Sequence, residues 1–220
     1  MYYPDNNCSI PNERPSKNKT SYIRFLHALP NNPPVNVDIY VNKKAIVKNL
    51  KYEDFTEYIP ARSGVHTIQV YPSGNMVEQL LDIRITTEPD KIYTIAVIGT
   101  VDDVEAEAFH DEFMDNKETA YMRFINLAPY DTAFDISIDG IDVVYDLGFT
   151  EKTDYLMIPG GKHTMKIYLE PDNKRVVSHP NMMLKNGNIY TSYIVGLEDG
   201  NPEIQVLIPL DGSSYIKPHK

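Results

Sequence analysis

The feature that most constrains this chain is that it repeats itself. Tyr22-Ile-Arg-Phe-Leu-His-Ala-Leu-Pro30 returns as Tyr121-Met-Arg-Phe-Ile-Asn-Leu-Ala-Pro129, and Val37-Asp-Ile-Tyr-Val-Asn42 as Phe134-Asp-Ile-Ser-Ile-Asp139. Gly64-Val-His-Thr-Ile-Gln-Val-Tyr71 matches Gly161-Lys-His-Thr-Met-Lys-Ile-Tyr168, and Ile92-Tyr-Thr94 matches Ile189-Tyr-Thr191, with Gly99 facing Gly196. Thr56 to Pro60 aligns with Thr153 to Pro159 if the second copy carries two extra residues. The order is kept from end to end, which marks a duplicated domain. A chain of 220 residues is the right length for two domains of about 100 each.

Within each copy apolar residues alternate with polar ones, the period of a half-buried strand. Val35, Val37, Ile39 and Val41 fall on one face, with Asn36, Asp38 and Tyr40 on the other. Turn chemistry separates the runs. Asp139-Gly140, and less strongly Asn42-Lys43, suit two-residue hairpins because both positions tolerate positive φ. Pro72-Ser-Gly74 with Pro171-Asp-Asn173, and Pro89-Asp90 with Asn186-Gly187, mark further turns. Val104 to His110 alternates in the register of Glu203 to Leu210, so each copy ends on a strand. The fold class that follows is all-β, with two tandem immunoglobulin-like antiparallel β-sandwich domains. Their expected bounds are 21–112 and 120–212, joined by a linker at 113–119. Residues 1–20 form an Asn- and Pro-rich tail, and 213–220 a C-terminal one. Two independent cores are expected.

The segments beginning at Tyr22 and Tyr121, the hairpins and the run Lys91-Ile-Tyr-Thr-Ile-Ala-Val-Ile-Gly99 resemble the bacterial domain of unknown function 4397 across both copies. The resemblance implies an immunoglobulin-like sandwich and supplies no catalytic residues. Relatives of that kind are commonly exported or displayed on the cell surface. This sequence opens on MYYPDNNCSIPNERPSK, in which no signal peptide is recognisable, so a cytoplasmic location is the default expectation. Leaderless assembly on a cell or spore surface is the other expectation.

Charge and motifs narrow the function. The net charge of −10 argues against tracking nucleic-acid phosphates, and no apolar run approaches the ~18 residues of a membrane helix. None of the six histidines stands in ligand spacing, so no metal or cofactor is expected. Strand parity sends His66 and His163 inward, as core histidines satisfied by a hydrogen bond, and gives His27, replaced by Asn126, a loop to hold. The acidic stretch 102–118 reads as a solvated strand edge, without the ligand spacing of a calcium loop or a paired base for catalysis. No nucleophile elbow or phosphate-binding loop occurs, so no catalytic residue is assigned and no enzymatic activity expected.

The expectation is therefore a non-enzymatic structural or binding protein whose partner is a protein or surface polymer, with self-association as a further option. The alternative is a carbohydrate-binding or enzyme-associated module with an aromatic-lined site. Sixteen tyrosines make Tyr22, Tyr40 and Tyr121 candidate partner contacts, with Arg24 and Arg123 beside them. Cys8, in the polar tail, is the candidate for an intermolecular disulfide. Parity also suggests two cross-strand ion pairs, Arg24 with Asp38 and Arg123 with Asp135.

Overall fold

Alternating apolar residues and positive-φ turns between them leave each repeat one solution, eight short strands folded back on one another. A computed structural model describes residues 20–31, 35–129, 133–170, 174–198 and 200–217. In the first repeat these are β1 (Thr20–His27), β2 (Val37–Val41), β3 (Lys44–Leu50), β4 (Ile59–Arg62), β5 (Gly64–Pro72), β6 (Leu81–Thr87), β7 (Ile92–Thr100) and β8 (Asp103–Asp111). The second repeat gives β9 (Ala120–Asn126), β10 (Phe134–Ile138), β11 (Ile141–Leu147), β12 (Leu156–Ile158), β13 (Gly161–Leu169), β14 (Lys174–Leu184), β15 (Ile189–Val195) and β16 (Gln205–Leu207).

Each repeat is a sandwich of two four-stranded sheets. The first stacks β4-β1-β7-β8 on β3-β2-β5-β6, and the second stacks β12-β9-β15-β16 on β11-β10-β13-β14. Pairing is antiparallel except at β1–β7 and β9–β15, which run parallel. The turns at Asn42-Lys43 and Asp139-Gly140 have φ of 51°, 68°, 52° and 82°, the values that let a two-residue hairpin follow the strand twist. Gly99 and Gly196 sit at φ of 94° and 113° where β7 and β15 hand over to the last strand. A Cβ at either would lie 2.2 Å from the carbonyl oxygen of Asp103 or Glu203. Only glycine fits there. The turn at 171–173 lies outside the described residues.

Register corrects one alignment. Tyr22 faces Pro60 across β1–β4, and Tyr121 faces Met157 across β9–β12. The copies therefore run without the two extra residues, and Tyr58 corresponds to Tyr155. Matching proline to proline had shifted the second copy.

Two apolar cores fill the sandwiches, one around Phe25, Ile39, Ile68 and Ile95, the other around Phe124, Ile136, Ile167 and Ile194. Val104, Ala106 and Ala108 cover the first core from β8, while Glu105 and Glu107 face solvent, as the alternation requires. A third apolar cluster belongs to neither repeat alone. Leu26, Ala96 and Ile98 meet Ile125, Tyr193 and Val195 there. Among the described residues no helix is long and apolar enough to cross a membrane.

Candidate functional site

Strand parity creates the third cluster. On β1 and β7, Ile23, Phe25, Ile95 and Val97 point into their own sandwich, so Arg24, Leu26, Thr94, Ala96 and Ile98 point out of it. On β9 and β15 the outward set is Arg123, Ile125, Thr191, Tyr193 and Val195. Those two outer faces close on each other. Each apolar side chain taken from water there contributes about 1.5–3 kcal/mol when fully buried. Tyr193 sits between Phe55 and Phe109 of the other repeat, with ring centroids 5.7 and 6.5 Å away.

Inside this seam lies a buried polar network, and it is nearly symmetric. Parallel pairing sets Arg24 beside Thr94 and Arg123 beside Thr191, and each arginine donates through Nε to its threonine at 2.8 Å. Each then crosses to the other repeat. Arg24 Nη1 donates to the Leu210 carbonyl at 2.9 Å, and Arg123 Nη1 to the His110 carbonyl at 2.6 Å. The residues that follow those carbonyls are Asp211 and Asp111. Arg123 Nη2 lies 3.1 Å from Asp111 and 3.9 Å from Asp211, while Arg24 Nη2 stands 3.8 Å from Asp211. Tyr58 donates to Asp111 at 2.6 Å and Tyr155 to Asp211 at 2.5 Å. Thr191 adds a bond to Asp211, and the amide of Gly212 reaches back to Asp111 at 2.9 Å. The arginines lie over the tyrosine rings, Arg24 4.6 Å from Tyr58 and Arg123 4.7 Å from Tyr155.

Two cations and two anions are thus sealed together, Arg24 at 4%, Arg123 at 2% and both aspartates at 0% exposure. Burial, reinforced by the charge of Asp111 and opposed by Arg123, pushes the Asp211 carboxyl up to about 6. Burial also raises Tyr58 and Tyr155, helped by the neighbouring aspartates, so both phenols stay protonated and donate. Desolvation opposes the charge on each arginine, but the tyrosines and aspartates around it hold it protonated. Each carboxylate accepts at least one bond from a phenol, hydroxyl, amide or guanidinium, while Asp211 Oδ1 and Arg24 Nη2 are buried 3.8 Å apart without a hydrogen bond. Such an arrangement holds two bodies together.

The residues singled out in the sequence fall in several places. Arg24 and Arg123, expected to meet an outside partner, meet the other repeat instead. The pairs Arg24–Asp38 and Arg123–Asp135 do not form, because β1 and β2 belong to different sheets, as do β9 and β10. Asp38 accepts from the Asn49 amide at 2.8 Å and the Ser73 hydroxyl at 2.9 Å, and Asp135 from the Asp146 amide at 2.8 Å. Although burial works the other way, the bonds from Asn49, Ser73 and Gly74 hold the Asp38 carboxyl below the usual range. Tyr121 is buried, Tyr22 half-buried, and Tyr40 only 9% exposed. Cys8 lies outside the described residues. The segment 213–220, expected as a tail, begins inside a short turn at Gly212–Ser214, and its Ser214 hydroxyl accepts from the Ile189 amide at 2.8 Å.

His66 is buried and bonds to Thr87 at 3.1 Å. Its counterpart His163 is only half-buried and bonds instead to Asp139 at 2.7 Å and the Pro159 carbonyl at 2.8 Å. Partial burial disfavours its charge, but those two acceptors outweigh it and raise its pKa. His27 holds the Val35 carbonyl at 2.9 Å and Asn126 the Leu147 carbonyl at 3.0 Å, so both copies use this position to fix a loop. Among the described residues no three His, Cys, Asp or Glu side chains are grouped to hold a metal.

Surface hollows lie away from the seam, and two of them are lined by aromatic or apolar side chains. Tyr40, Lys43, Gln69, Tyr71 and Met76 line one of about 250 Å³ on the first repeat. Its two tyrosine rings stand 5.6 Å apart at 82°. Ile138, Ile141, Val143 and Met157, with Asp139 and His163, line an apolar groove of about 300 Å³ on the second. Neither repeats in the other copy. Ser137 stands where Tyr40 does, and Lys44 and Pro60 stand where Ile141 and Met157 do.

Sequence reasoning missed Tyr58, Tyr155, Asp111, Asp211, Thr94 and Thr191 as site residues. One signal was present. The outward face of β7 carries Thr94, Ala96 and Ile98 without a single charge, which marks a strand covered on both sides.

Fold and seam together define a two-module β protein whose repeats are bound by a shared buried interface. The chain belongs to the family described as Domain of unknown function (DUF4397), whose model matches residues 21–135 and 120–213. No curated protein matches the sequence. Among solved structures it is similar to a family 26 carbohydrate-binding module from Eubacterium rectale Amy13K in complex with maltoheptaose. Identity is 11%, coverage 88% of this chain and 99% of that one, and the TM-score 0.25. The fimbrial anchor protein Mfa2 from Porphyromonas gingivalis aligns at 10% identity over 88% and 98% of the two chains, with a TM-score of 0.24. Likeness at that level carries no argument about function.

Proposed function

We propose that this protein is a non-enzymatic structural module in which two β-sandwiches act as one rigid spacer for a protein or surface-polymer partner. The buried seam carries this reading. Its charged groups are spent on joining the repeats, where a binding or catalytic protein would direct some of them into an open cleft. Interdomain contacts are commonly loose, and a large apolar seam with fully buried ion pairs favours a fixed geometry. The test is a distance measurement. With Cys8→Ser as background, spin labels at Arg84 on β6 and Met183 on β14 should give one narrow distance distribution, unchanged in high salt. A broad distribution would remove the spacer reading.

The carbohydrate-binding alternative has one observation behind it, the hollow at Tyr40 and Tyr71 with Lys43 and Gln69 at its edge. Tyr40 is nearly covered, so a single ring is presented. Titration with maltoheptaose decides it: heat of binding that disappears with Tyr71→Ala supports the sugar site, and no heat removes it for this ligand.

A further inference from the structure

The seam has a property that neither repeat shows alone. Four equivalent pairs build it: Arg24 with Arg123, Thr94 with Thr191, Tyr58 with Tyr155, and Asp111 with Asp211. The contacts are reciprocal. The first repeat's arginine takes the carbonyl before Asp211, and the second repeat's arginine takes the carbonyl before Asp111. Reciprocity of that kind is the pattern of a two-fold, self-complementary interface, here closed within one chain.

We propose that two copies of this chain exchange repeats through the seam, forming a closed dimer in which each first repeat docks on the other copy's second repeat. The inference rests on the symmetry of the seam and not on the spacer role above. Nothing in the seam identifies the covalently attached repeat, since another copy presents the same arginine, threonine, tyrosine and aspartate. What favours the chain's own repeat is only the connection through residues 112–119, which sets a local concentration of the order of millimolar for a short flexible link. That connection has little to lose by extending between Glu112 and Glu118, and only Thr119 is tied down, to Gly187 and Ile158 of its own repeat. Glu112, Phe113 and residues 115–118 are exposed, and an internal bond there runs from the Glu118 amide to Asn116. Those seven residues drawn out reach roughly 23–25 Å. An opened seam, by contrast, uncovers an apolar face and four charged groups matched to one another. A second copy supplies every one of those matches.

Complementary charge reversal tests this on full-length chains. One chain carries Arg24→Asp and therefore sets two acids together within its own seam. The other carries Asp211→Arg and sets two arginines together. In the exchanged pair, one seam joins Asp at 24 to Arg at 211 and the other is wild type, so both conflicts between repeats disappear together, and only the crowding of Arg at 211 against Arg123 of its own repeat remains. Co-refolding equal amounts should move most of the protein from the monomer mass to twice that mass, with thermal stability above that of either variant alone. Each variant refolded alone should give no such species. A mixture that behaves as the sum of its parts overturns the proposal. Should either variant fail to fold, wild-type protein decides. Two populations carrying donor and acceptor dyes are unfolded in urea and refolded together at high concentration. They should give a doubled-mass species with energy transfer, and monomer alone overturns the proposal.

Discussion

The two ends of each sandwich behave differently when the repeats are compared. In the polar network of the seam the copies keep the same residues in the same roles, down to an arginine–threonine bond of 2.8 Å in both, although beside it Tyr193 stands where the first repeat has Ala96. On the far sheets they have diverged. Asn42 has become Asp139 beside the paired histidines, Thr87 has become Leu184, and an apolar groove exists on one copy only. The contrast teaches where the fold is constrained. A surface that must fit a near-copy of itself tolerates change only in matched pairs, whereas a sheet facing solvent can change alone.

Removing Arg123 should break the comparison most severely. Among the described residues it is the only cationic side chain within 4 Å of both aspartates, so Arg123→Ala takes from Asp111 its cation and leaves Asp211 with Arg24 alone, at 3.8 Å. A loss of about 3–5 kcal/mol is expected in urea denaturation. Arg24→Ala should cost less, because its nearest carboxylate stands at 3.8 Å. Equal losses would mean that the asymmetry of the seam is unimportant.

Asp211 sharpens the point through pH. Its carboxyl is raised to about 6 in the folded chain, so folding holds a proton there that the unfolded chain releases near 4. The stability this gives is present below about pH 4 and fades as pH rises through about 6. Relative to Asp211→Asn, the wild-type protein should therefore lose on the order of 3 kcal/mol between pH 4 and pH 7. A gap that grows the other way would show that the ionised form is the favoured one.

Tyr58→Phe and Tyr155→Phe each delete a phenol bonded to a buried carboxylate, at a cost of about 1.5–3 kcal/mol. Equal effects support the symmetry of the seam, and effects differing by more than twofold count against it. The smallest effect belongs to the divergent end. Asp139→Asn restores to the second repeat what the first has at Asn42. His163 should then titrate at a lower pH in an NMR experiment, with stability changing by a few tenths of a kcal/mol.

Most of the fold was legible because period-2 alternation and turn residues are local properties. Asp139-Gly140 alone placed a hairpin correctly, and the alternation of Val104, Ala106 and Ala108 placed β8. The seam was less legible, for a physical reason. Parity correctly turned Arg24 away from its own core but could not tell solvent from a second sandwich as the thing it faced. The pairing with Asp38 failed similarly, since a strand's neighbour in sequence need not be its neighbour in a sheet. Tyr58 and Tyr155 were hidden by an alignment that followed a proline when it should have followed the tyrosine.

The reach of Gly212 back to Asp111 has a consequence for how the protein is made. The first repeat leaves the ribosome complete in its own core, yet Arg24 must wait for residues 210 and 211, and Asp111 for 212, before the last of their partners exists. At about 5–20 residues per second, the intervening hundred residues take on the order of 5–20 s to emerge. For that interval the nascent chain carries an open, half-charged, half-oily surface that matches its neighbours on the same messenger as well as its own unfinished end.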